Sequence, residues 1–304
     1  MSVRIKSTGV SRAGDSHSIV EHTARAAKQS LQRAGIRSDQ VGLLINAGIF
    51  RDSNIMEPAV SALIQKAAGI GLEYAKDDPR TFSFDLMNGA ISVLNAVQVA
   101  TSVLETGSAE HVLIVSGDTH PSMTRYIADD EFPYATSGAA LLLERTDEPV
   151  GFGTVHSVKG EGTPAVEGYL DTTTMGNQGR GVITVVREPG FEDRLLEVAV
   201  DAARRALAES DHASLGEIAL IASTPAPEFP AKLATALGID QRSVHTPDLR
   251  YGDPHTAALT AAYDLAVADD KLADYRQVLF VAAGAGPAAA AVLYRLPVLV
   301  GAPA

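Results

Sequence analysis

The residues able to do chemistry gather at two places where an apolar strand gives way to a helix. At the first, the run FDLMNGAISVLNA passes through a Gly turn, and a long apolar helix is expected to start near Ala90. A helix start leaves backbone N–H groups unpaired, so it suits a reactive or anionic group. Ala90 offers no electron pair. Beside it, Asn88 serves either turn chemistry or a ligand contact. Ser92, two residues on, points away from the direction of Ala90 and reads as packing. At the second place, PDLRYGDPH sets Asp253 two residues before His255. His255 reads as a helix-start polar residue with a local hydrogen bond, and acid–base chemistry is the alternative. His120, in GDTHPS, reads as a surface-loop residue, with ligand binding as the alternative.

The chain contains no Cys, which removes disulfides, thiolate metal sites and thiol nucleophiles together. The histidines at 17, 22, 111, 120, 156, 212, 245 and 255 are scattered. His17 and His22, the closest pair, lack the i, i+3 or i, i+4 spacing that shares a helix face, so no metal is expected. GNQGRG at 176–181 resembles a phosphate loop in composition only and reads as a flexible crossing. AGAG near Ala283 lacks the strand–glycine–helix setting of a dinucleotide site, and no cofactor is expected.

The elements that position these residues occur twice. A helix from Ser18 places Ile19, Val20, Ala24, Ala27, Leu31 and Ala34 close to a 3.6 period, and Gly35 ends it. Then come an apolar strand at 41–47, a helix opening at Pro58, the strand 81–86, the long helix, and strands at 111–116 and 138–144. The second half repeats the order. A helix at 191–209 is followed by EIALIA, by PEFPAKLATALG against MEPAVSALIQKAAG, by PDLRYGD against FDLMNGA, and by strands at 277–282 and 290–296. This order implies an internal duplication. The expected fold is α/β, with two βαβ-rich halves at 1–175 and 176–304 stacked in five layers, αβαβα. Asp85 and its duplicate Asp248 read as structural.

Composition bounds the rest. With 304 residues and 46% hydrophobic content, the chain can bury one large core or two fused halves. A net charge of −12 with no basic run argues against nucleic acid and against a polybasic membrane patch. Residues 1–12 are polar and no stretch reads as a transmembrane helix, so a soluble cytoplasmic protein is expected.

The duplicated order and FDLMNGAISVLNA together resemble the β-ketoacyl-acyl-carrier-protein synthase III family of thiolase-fold condensing enzymes, over roughly residues 15–296. The resemblance aligns Ala90 with the family's nucleophilic Cys, Ser223 in STPA with its His, and Asp253 in GD with its Asn. It implies a scaffold without the family chemistry: no thioester-forming nucleophile, a hydroxyl in place of an imidazole, and a carboxylate beside a developing enolate. The resemblance also implies that coenzyme A contacts lie in an early segment that is shortened here, which argues against expecting coenzyme A binding. Two functions follow as expectations. One is a non-condensing subunit or acyl-binding protein of fatty-acid-type or secondary metabolism, forming a homodimer or a heterodimer with an active homologue and meeting acyl carrier protein or acyl-CoA. The other is an acyltransferase or hydrolase of altered mechanism acting on acyl thioesters, with Asn88, Ser92, His120 and His255 as its pocket candidates.

Overall fold

The computed structural model describes residues 2–12, 14–72, 81–173, 176–210, 214–284 and 286–297. His212 and Ala285 of the AGAG run lie outside the described residues, as does the expected boundary at residue 175. The first sheet is formed by β1 (Ser2–Arg12), β2 (Leu43–Asn46), β3 (Phe82–Asp85), β4 (His111–Asp118) and β5 (Ser137–Thr146), in the order β1-β5-β4-β2-β3. Helices α1 (Ile19–Ala34) and α2 (Val60–Ala68) pack on one face of it, and α3 (Ser92–Glu105) packs on the other.

After the short strands β6 (Gly151–Phe152) and β7 (His156–Lys159) comes a separate hairpin, β8 (Val166–Tyr169) with β9 (Thr184–Arg187). The second sheet then adds β10 (Ile218–Ala222), β11 (Val244–His245), β12 (Gln277–Gly284) and β13 (Ala288–Arg295). β6 and β7 already pair with β13, so residues 151–159 join this second sheet. Helices α4 (Phe191–Leu207) and α5 (Phe229–Leu237) cover its outer face, and α6 (Ala258–Ala268) covers the inner one. The layers run α1/α2, sheet, α3/α6, sheet, α4/α5, the expected αβαβα order.

Period-2 alternation sorts the strand side chains between layers. In β4, Leu113 and Val115 face α1 and α2, while Val112 and Ile114 face α3. In β12, Leu279 and Val281 face α4 and α5, while Val278 and Phe280 face α6. Both faces of each central strand are buried, which is why these strands read as unbroken apolar runs.

The local starts and stops agree with the sequence in most places. Ser18 caps α1 through the Glu21 N–H, and Gly35, Gly69 and Gly238 end α1, α2 and α5 in the left-handed region. Pro58, expected in the first turn of α2, instead stands before the N-cap Ala59. The carboxylate of Asp85 supplies the missing cap: it accepts the Val60 N–H at 3.0 Å and the Ser61 N–H at 2.7 Å. Asp248 has a different task, accepting from Arg12 and Arg250, so the duplication preserves this Asp in place but not in partner.

Candidate active site

Ala90 lies just before α3, whose first helical residue is Ser92, so the expected helix start is displaced by two residues. The turn that delivers it needs Gly89 at φ 56°. Ser92 is fully buried and donates its hydroxyl to the Ala47 carbonyl at 2.6 Å, a packing role as the sequence implied. Asn88 donates to Asn95 at 2.8 Å and lines an open cleft.

The second half brings its residues to the same place. Ser223 follows β10 and is buried; its Oγ accepts the Ala283 N–H at 2.9 Å and donates to the Ala283 carbonyl at 3.4 Å. Asp253 Oδ1 accepts from Thr224 Oγ1 at 2.6 Å and from the His255 N–H at 2.8 Å. Its backbone carbonyl takes the Ala135 N–H at 2.8 Å, fastening this loop to the segment before β5. Gly252 precedes it with φ 112°, in a position where a Cβ would collide with Ala128. Burial pushes the Asp253 carboxyl up, more than His255 and Thr224 pull it down.

Asp118, which opens a polar run in the sequence, is the last residue of β4 and is fully buried. Its Oδ1 accepts the Ile49 and Phe50 N–H groups at 3.0 and 2.7 Å. Its Oδ2 accepts the Thr256 N–H at 3.1 Å and the Thr256 hydroxyl at 2.5 Å, and faces His255 Nδ1 at 3.0 Å. Burial raises the Asp118 carboxyl, but the His255 charge and these hydrogen bonds outweigh it and hold the group below the usual carboxylate range. Burial likewise lowers His255, yet Asp118 outweighs it and the imidazole sits above its ordinary value. The ring stacks on Tyr134 with centroids 4.1 Å apart. The local-hydrogen-bond reading of His255 is thus incomplete, because its main partner is 137 residues away in sequence.

His120 is corrected as well. It is buried, with Nδ1 at 2.6 Å from Ser122 Oγ and Nε2 at 2.6 Å from Arg125, and its ring meets Phe132 edge-on. That places it one aromatic layer behind Tyr134, away from the pocket walls.

Ala90, Ser223, Asp253 and His255 surround one cavity of about 30 Å³, closed by Tyr134, Val166, Phe191 and Leu195, with Arg187 also at its wall. Next to it lies an open cleft of about 570 Å³, walled by Asn88, Gly89, Ile91, the β8 strand and Gly286. Val166 and Gly284 belong to both. The sequence did not single out Asp118, Tyr134, Val166 or Arg187. For Asp118 a signal existed, a carboxylate directly after the apolar run of β4. Among the described residues no group of His, Asp and Glu is arranged to hold a metal ion, and no helix is long and apolar enough to cross a membrane.

No family model matches the chain. Acyl-CoA:acyl-CoA alkyltransferase of Xanthomonas campestris pv. campestris is 28% identical over 95 residues, which are 31% of this chain and 25% of that protein. β-Ketoacyl-acyl-carrier-protein synthase III of Thiobacillus denitrificans is 24% identical over 287 residues, 90% of this chain and 83% of that protein. Other relatives of that name align over only 27% to 38% of their own length. The synthase III structure from Thermus thermophilus superposes with a TM-score of 0.76 at 18% identity, covering 97% of this chain and 99% of that one. The chain has the fold of the synthase III structures and is similar in sequence to β-ketoacyl-acyl-carrier-protein synthase III of Thiobacillus denitrificans over most of its length.

Proposed function

We propose that this chain is a non-condensing member of such a system, acting as the partner subunit of an active homologue. The observation that carries the reading is the surroundings of Ala90. The residue aligned with the nucleophile is a methyl group, no Cys exists anywhere in the chain, and the adjoining cavity of about 30 Å³ holds no more than a water or two. An acyl group reaching Ala90 finds no atom there to join, and the small cavity itself has no room for a chain. Ser223, aligned with the family His, is already engaged on Ala283 and supplies no imidazole.

Two measurements test this. Co-expression with a Cys-containing synthase III homologue should yield a mixed dimer that survives size-exclusion chromatography; recovery of the two proteins only as separate species counts against the subunit role. Incubation with acetyl- or longer acyl-CoA should leave the intact mass of the lone chain unchanged, and a stable adduct on Ser92 or Ser223 would overturn the assignment of an empty nucleophile position.

A second reading is favoured by one observation, the Asp118–His255 pair beside a cleft of ligand size. At about 570 Å³, that cleft lies within the range of roughly 300–1,000 Å³ usual for small-molecule sites. In this reading the lone protein turns over an acyl thioester without a covalent intermediate.

A further inference from the structure

A subunit that only completes a dimer has no use for the Asp118–His255 pair. Asp118 would hold its neighbourhood together without the imidazole, since four donors from Ile49, Phe50 and Thr256 already meet its two oxygens. His255 is nevertheless packed against it, its side chain only 10% exposed, and with φ 50° in the left-handed region, a conformation uncommon for a residue with a side chain. Its ring is clamped on Tyr134 and lies 5.7 Å from Phe50. Because Nδ1 is taken by Asp118, Nε2 is the nitrogen left without a hydrogen-bond partner among the described residues, on a side chain that lines the cavity. Ala90 has no nucleophilic atom, the Ser223 hydroxyl is tied to Ala283, and the Asp253 carboxylate is engaged by Thr224 and the His255 N–H. The cavity of about 30 Å³ has mainly apolar walls, but His255 and Asp253 supply polar groups to it, and its size is that of a water site. Through Val166 and Gly284 it meets the cleft, so a ligand lying there would end at the cavity mouth.

We infer that His255, oriented by Asp118, is a general base that activates a water in this cavity to hydrolyse an acyl thioester held in the adjoining cleft. This rests on the second reading above. The water oxygen bonds to the thioester carbonyl carbon while its proton passes to Nε2. The imidazolium, stabilised by Asp118, then gives that proton to the departing sulfur as the C–S bond breaks. The products are a carboxylic acid and a thiol, and the side chains return to their starting state.

The test uses the full chain with hexanoyl-CoA and a chromogenic thiol reagent, which meets no background because the protein has no Cys. Binding is measured separately by calorimetry with the unreactive thioether analogue of the same ester. The wild type should bind the analogue and release thiol, with a rate that climbs with pH as the imidazole loses its proton. Asp118 and Asp253 act on this limb, and Tyr134 on the ring face and Arg187 at the cavity wall are the other titratable groups nearby. His255→Gln should cut thiol release by about 10²–10⁴-fold with little change in analogue affinity. Val166→Trp, at the junction of cleft and cavity, should suppress release without touching the pair. Asp118→Asn should move the acid limb to lower pH, as expected of a positioning residue; if it does not fold, the His255 and Val166 variants decide. Binding of the analogue without thiol release overturns the hydrolysis and spares the thioester cleft. Absence of both overturns the cleft as well. Release by His255→Gln at the wild-type rate overturns the base.

Discussion

Ala90→Cys would add a single sulfur at the position that the resemblance aligns with the family's nucleophile. Ala90→Cys would place a thiol just ahead of α3, where unpaired N–H groups and the helix dipole should lower its pKa below the free value of about 8.5. Slow acylation by acetyl-CoA is expected, seen as an acetyl increment in the intact mass. Condensation with malonyl-CoA is not expected, because Ser223 has no imidazole and its hydroxyl is engaged on Ala283. Efficient condensation by the single variant would show that the alignment of Ser223 and Asp253 is wrong. The neighbouring pair makes a pH prediction. Burial opposes the charge on His255, but Asp118 holds its folded pKa above the unfolded one. That contribution is complete below the unfolded imidazole pKa and is lost as pH rises through the folded value. The urea midpoint should therefore fall as pH is raised above the ordinary histidine range. Asp118→Asn should flatten that slope while costing about 3–5 kcal/mol of stability, because it breaks a buried pair. An equally steep slope in the variant would mean that His255 does not report on Asp118.

At the scale of elements, the strand-to-helix turns carry most of the design. Asp85 closes β3 and caps α2, and it also accepts from Asn46 at 3.1 Å, so one carboxylate joins two strands and a helix. Asp85→Ala should cost about 1–2 kcal/mol, measured as a lower urea midpoint with an unchanged slope. A loss no larger than that of Asp39→Ala, an exposed control, would leave the cap without weight. The helix starts and stops were legible in the sequence because they depend on residues a few positions apart: Ser18 against Glu21, and Gly35 against Leu31. Asp85 was legible as structural, but its partners in α2 precede it by about 25 residues, beyond the reach of local pattern.

For the molecule as a whole, β3 is the outer strand of the first sheet, and Phe82 on it is 66% exposed with Met87 close behind at 54%. Among the described residues no strand pairs with the outer side of β3, and an apolar strand edge of this kind invites pairing with another chain. We expect a dimer formed on this edge, with itself or with an active homologue, burying roughly 1,600 Å² or more in total. Light scattering at micromolar concentration should report a dimer for the wild type and a monomer for Phe82→Lys. A wild-type monomer, or a variant that still dimerises, would remove the edge from the interface.

The sequence by itself determined the fold class and the five layers, because buried strands are apolar on both faces and the order of elements repeats. It also determined that no thiol is available. Which polar residues meet was decided only by the tertiary structure. Asp118 belongs to the first half and His255 to the second, and no periodicity links positions 137 residues apart; the back-to-back stacking of the halves makes them neighbours. His120 looked exposed because its loop is polar, yet Phe132 and Arg125 fold over it. The size of the space beside Ala90 follows from Tyr134, Val166, Phe191 and Leu195, which come from three separate segments, the last two both from α4. Packing between distant segments, which leaves no trace in local composition, set how much room the site has and which nitrogen of His255 remains free.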